Sequence, residues 1–113
     1  MIDDPEKTDR LLVELKASLP VRTRLSQNLI RMFARKSPDL SIPSICSIVS
    51  VFYAGDEGGI VCGLDVGGSE TKALHFVSIT HLSFDRRMPL FRRIATYQHH
   101  RIKKLKRQPG RSG

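Results

Sequence analysis

The sequence predicts an α+β domain of order ααβββα, with a three-stranded antiparallel β-meander packed by helices. Three observations lead there. Two apolar stripes of helical period occupy the N-terminal part of the chain. Between residues 44 and 82 the apolar period changes from 3.6 to 2, and two glycine-rich turn signals divide that stretch. A third helical stripe then runs toward the C-terminus. With 113 residues, 40% of them hydrophobic and no Trp, the chain can build one modest core. We expect a single α+β domain over residues 1–108 and a flexible basic tail over 109–113.

The first helix is expected over residues 4–18. Asp4 is a good N-cap and Pro5 suits the first helical position. Leu11, Leu12, Leu15 and Leu19 fall on one stripe, and Pro20 ends it. The second helix is expected over 22–36, burying Leu25, Leu29, Met32 and Phe33 and stopped by Ser37-Pro38-Asp39. The short turn between them implies an antiparallel helix pair.

Three strands follow, at about 44–54, 59–66 and 71–82. Taking Asp56-Glu57 as a two-residue turn places Tyr53 opposite Ile60, Val51 opposite Cys62 and Val49 opposite Leu64. Taking Gly68-Ser69 as the second places Leu64 opposite Ala73, Cys62 opposite His75 and Ile60 opposite Val77. One face then collects Val49, Val51, Tyr53, Ile60, Cys62, Leu64, Ala73, Val77 and Ile79. The other carries Ile48, Ser50, Phe52, Val61, Gly63, Asp65, Lys72, Leu74, Phe76 and Ser78, with an apolar patch that a partner subunit would cover. The last helix is expected over 89–107, with Phe91, Ile94, Gln98, Ile102 and Leu105 along its stripe.

Charge is segregated. Residues 1–85 hold 9 basic and 11 acidic side chains, whereas residues 86–113 hold 10 basic and no acidic ones. The whole net charge of +8 therefore belongs to the last quarter of the chain. A block of one sign attracts polyanions. Arg86, Arg87, Arg92, Arg93, Arg101, Lys103, Lys104, Lys106 and Arg107 are the residues expected to meet the phosphates of RNA or DNA. The bland alternative is a solvated helix end, whose cations the helix dipole favours in any case.

Other motifs lie at the second turn. The run Gly63-Leu64-Asp65-Val66-Gly67-Gly68-Ser69-Glu70-Thr71-Lys72 resembles the phosphate loop of the sugar-kinase and actin superfamily. That fold requires two large domains, and few residues follow Lys72, so the glycines read as a hairpin. Asp65 with Glu70-Thr71-Lys72 also resembles the Asp…Glu-x-Lys pattern of the PD-(D/E)XK nucleases. That resemblance implies two carboxylates on Mg²⁺ and a lysine assisting a water. The simpler alternative is a cross-strand ion pair of Asp65 with Lys72, worth under ~1 kcal/mol.

The histidines and cysteines form no metal set by spacing. His75 and His81 lie about 20 Å apart along a strand. His99 and His100 point in different directions on a helix. Cys62 with His75 makes only two ligands. In the expected register Cys46 and Cys62 face opposite ways, which counts against a disulfide between them. The polar, acidic N-terminus, the two cysteines and the lack of an apolar run near the roughly 18 residues of a span give an expected cytoplasmic address, with no membrane partner and no cofactor. The leading expectation is a non-enzymatic module binding RNA or DNA through the basic C-terminal helix. The rivals are a protein-interaction or oligomerisation module using the apolar second sheet face, for instance as a homodimer, and a Mg²⁺-dependent nuclease of the PD-(D/E)XK kind.

Overall fold

The computed structural model describes residues 3–38, 41–66 and 75–107. Among these residues, three helices, α1 (Pro5–Ser18), α2 (Gln27–Lys36) and α3 (Phe91–Arg107), accompany four strands, β1 (Val21–Arg24), β2 (Ile45–Tyr53), β3 (Ile60–Asp65) and β4 (His75–Ser78). The sheet is antiparallel in the order β1-β2-β3-β4. The α+β class and the meander packed by helices are therefore as expected, with one more strand.

The first helix begins as its sequence dictates. Asp4 caps it, accepting the Lys7 N–H at 3.1 Å, and Pro5 opens the first turn. Leu11 and Leu15 are buried, with Leu12 and Leu19 packed beside them.

The second expected helix is shorter than its sequence stripe. Residues 21–24 form β1 instead, so a strand and not a turn separates the two helices. Val21 and Thr23 face inward while Arg22 and Arg24 face out, which is strand alternation. Ser26 then caps α2, accepting the Leu29 N–H at 3.2 Å. Leu29 and Phe33 are buried as expected, but Met32 is exposed.

The first hairpin keeps its expected register at the turn, with Tyr53 opposite Ile60 and Val51 opposite Cys62. A 3-10 turn at Gly55–Glu57 closes it, with positive φ at Gly55, its first residue, and at Gly59, just before β3. Further along, the register breaks. Ser50 pairs with Gly63 but Ile48 pairs with Leu64, so Val49 is an extra residue without a partner. This bulge reverses the expected facing of everything before it. Ile48 and Cys46 enter the core, and Val49 faces solvent. Cys46 and Cys62 are thus both on the core side, as free thiols.

The second hairpin is offset by two residues from expectation. Cys62 lies opposite Val77 and Leu64 opposite His75. An even offset preserves facing, so Val77 remains in the core. The expected Cys62–His75 pairing is absent. His75 instead packs its ring on Phe33 at 4.8 Å, with Nε2 at 3.3 Å from the Ser37 hydroxyl. Residues 67–74, including the second turn, lie outside the described residues.

All three helices contribute to one apolar cluster on a single sheet face. Leu11, Leu15, Leu29, Phe33 and Ile94 join Cys46, Ile48, Val51, Ile60, Cys62, Leu64 and Val77. Gln98, expected on the apolar stripe of α3, donates to the carbonyls of Ile79 (2.8 Å) and Leu82 (2.7 Å), docking α3 on the segment after β4. No helix among the described residues is long and apolar enough to cross a membrane.

Burial raises both thiols, Cys62 to about 12 and Cys46, with a smaller contribution from the charge of Asp65, to about 11. In the unfolded chain they ionise near their ordinary value of 9.0. The protonated form is favoured by folding, so this part of the stability is complete below pH 9.0 and is lost as pH climbs through 11 and 12. Both cysteines are expected to resist alkylation at neutral pH in the native protein and to react once it is denatured. Rapid native-state labelling of Cys62 would contradict this burial. The bulge makes a second, sharper prediction. Ile48→Ala should lose about 2–4 kcal/mol in a urea titration, whereas Val49→Ala should stay within about 0.5 kcal/mol. Strict alternation would give the reverse order.

Candidate polyanion-binding surface

The basic residues of the C-terminal quarter separate into three environments. Arg101 is not on the surface at all. It is 2% exposed, and Nη1 donates to Asp3 Oδ2 at 2.9 Å across a pair whose acid is 3% exposed. The same carboxylate oxygen accepts the hydroxyls of Tyr53 (2.9 Å) and Tyr97 (3.0 Å). Tyr97 also accepts the Ile60 N–H at 3.1 Å, and Nη2 of Arg101 donates to the Asp56 carbonyl. Asp3 Oδ1 has no hydrogen-bond partner among the described residues. Burial, the hydrogen bond to Asp3 and its negative charge push the Tyr53 hydroxyl up to about 12, and burial raises Tyr97 further. Arg101 is therefore removed from the expected phosphate-binding set. An arginine inside a basic run reads as surface by pattern, and nothing local in the sequence links it to Asp3.

A second group is paired at the surface. Arg93 bridges to Glu14 of α1, and Arg87 bridges to Asp85 at 3.3 Å. The Arg87 backbone N–H, then its guanidinium, hold the Asp85 carboxyl below its ordinary range. Both pairs are exposed enough to contribute little to stability.

The third group is open. Arg86, Arg92, Lys103, Lys104 and Lys106 are exposed and make no ion pair among the described residues. Arg107 is the last residue of α3. Arg92, Thr96, His99 and Lys103 recur at intervals of four, three and four, which aligns them on one side of α3. The segment Arg86–Pro89 rises beside them, so a shallow groove runs along the helix. Arg86, Arg92, Arg93, His99, His100 and Lys103 line it, and no carboxylate does. His99 and His100, expected to diverge, thus share one groove, and both were outside the expected site. Their helical spacing to Arg92 and Lys103 was the available signal.

The groove can act as a row of donors for an anion that extends along the helix. Among the described residues no three His, Cys, Asp or Glu side chains gather where a metal would need them. Of the nuclease-like residues, Asp65 is exposed at the end of β3 opposite Ser47, while Glu70, Thr71 and Lys72 lie outside the described residues. No family model, no curated protein and no solved structure matches the chain.

The environments predict opposite responses to one substitution in α3. Arg101→Ala strands a buried carboxylate and should destabilise by about 3–5 kcal/mol. Lys103→Ala should stay within about 0.5 kcal/mol. Equal unfolding midpoints for the two variants would contradict the buried pair.

Proposed function

We propose that the chain is a binding module for a polyanion, with RNA or DNA phosphates as the favoured ligand, and that the groove along α3 holds it. One observation carries the reading: the charged lining of this groove is wholly basic, although α1 and the 85–87 turn supply acids close by. Glu14 and Asp85 are turned onto Arg93 and Arg87, which leaves Arg86, Arg92 and Lys103 to face an outside ligand. Their spacing on a rigid helix fits successive anionic groups better than a single ion. Binding by such a row releases counterions, so affinity falls with added salt in proportion to the phosphates neutralised.

The test is fluorescence anisotropy with a labelled duplex DNA and a labelled single strand across a salt series. The wild-type chain should bind both with a steep logarithmic salt dependence. Arg92→Ala combined with Lys103→Ala should weaken binding and flatten the slope by about 1.5, since each phosphate left without its cation removes about 0.7–0.9. Arg87→Ala, which removes a cation already paired with Asp85, should change the slope much less. If the double variant keeps the wild-type slope on the duplex, the groove is not the binding surface.

A further inference from the structure

Among the described residues, the helices cover one sheet face and no element covers the other. On the open face Phe52 (44% exposed) and Phe76 (55% exposed) meet edge to face, with ring centroids 5.9 Å apart. They belong to β2 and β4 and lie diagonally across β3, where Phe76 is opposite Gly63 and Phe52 opposite Val61. Gly63 has no side chain to separate the rings. Arg22 and Arg24 share this face, because their cross-strand partners are Ser47 and Ile45. Neither arginine makes an ion pair among the described residues. The register also places Asp65 here, opposite Ser47, and that carboxylate has an interaction of its own.

Two surface-presented rings on a rigid sheet, with guanidinium groups further along the same face beyond the Asp65 row, are the chemistry that holds unpaired nucleobases. Every base has a π-face to lay on a ring, and an arginine fork matches a phosphate. Strands β1 and β4 lie three inter-strand spacings apart, about 14 Å. A strand of about four nucleotides, the smallest that such platforms hold, spans that distance. A second copy of the chain fits worse. The two half-exposed rings offer about 200 Å² together, against the roughly 800 Å² per partner of a stable interface.

We infer that the open face is a stacking surface for single-stranded nucleic acid, with Phe52 and Phe76 as the base platform and Arg22 and Arg24 as the phosphate contacts. None of these residues lines the α3 groove, so the two surfaces stand or fall separately. A duplex keeps its bases inside and gains nothing from the rings.

The test measures anisotropy of labelled oligothymidylate and oligouridylate of about eight nucleotides, and of a duplex of the same length. Phe52→Ala and Phe76→Ala should each weaken single-strand binding about 5- to 150-fold, leaving its salt slope and the duplex affinity unchanged. Phe76→Tyr, which keeps a ring, should retain binding, and this guards against a mere folding defect. Arg22→Ala with Arg24→Ala should lower the single-strand salt slope. Both phenylalanine effects should persist in the Arg92→Ala, Lys103→Ala background even if those two prove irrelevant. Wild-type single-strand affinity in both alanine variants would overturn the inference. So would sedimentation showing a wild-type dimer that Phe76→Asp converts to monomer, because the face would then be a self-interface.

Discussion

The buried ion pair between Asp3 and Arg101 is the constraint around which the molecule is arranged. It joins residues 98 positions apart, and the two tyrosines on the same carboxylate oxygen bring β2 and α3 to one point. Through Arg101 and Tyr97 the point also touches the Asp56 carbonyl within the first hairpin turn and the Ile60 N–H at the start of β3. Taking two charges out of water is costly, and their attraction offsets that cost only when further hydrogen bonds complete the arrangement. Three donors on one oxygen supply them. Gly59 belongs to the same arrangement, since a Cβ there would collide with the Tyr97 hydroxyl and the Arg101 guanidinium, and its φ of +64° favours glycine in any case. The result is a lock between the start of the chain, the hairpin and the last helix.

That lock sorts the basic residues of α3. By holding Arg101 inward it fixes the rotation of the helix, and the residues on its outer side follow. Arg92, His99 and Lys103 must then face away from the core, next to the Arg86–Pro89 segment. The proposed binding surface on this helix is thus positioned by a charge that does not belong to it. The apolar contribution of α3 is small by comparison, with Ile94 buried and Ile102 exposed. A helix so rich in cations is held by its polar anchors at Tyr97, Gln98 and Arg101 as much as by apolar packing.

The sheet separates two chemistries. Its core face is aliphatic, with two protonated thiols. Its outer face presents rings and arginines to solvent. The Val49 bulge sets this division along β2, since one inserted residue exchanges inside for outside over the first half of the strand. Short β1, with arginines on its outer side, also blunts what would otherwise be a bare edge. Arg24 forms a bridge with Ser83, and Thr23 donates to the Ser83 carbonyl at 2.9 Å.

The sequence alone determined the class, α1 with its Asp4 cap and Pro5, the first hairpin at its turn, and the exposed Phe52, Val61 and Phe76 side of the sheet. These rest on capping chemistry, on turn residues and on a period that counts only neighbours along the chain. Strand β1 was legible in the alternation of Val21, Arg22, Thr23 and Arg24, but a helical stripe continuing through Leu25 and Leu29 competed with it. Tertiary structure alone decided the rest. The bulge at Val49 follows from which residues the helices bury, because Ile48 and Val49 are both aliphatic and periodicity cannot choose between them. The fate of Arg101 depends on a carboxylate from the opposite end of the chain, and no local pattern records a contact of that range.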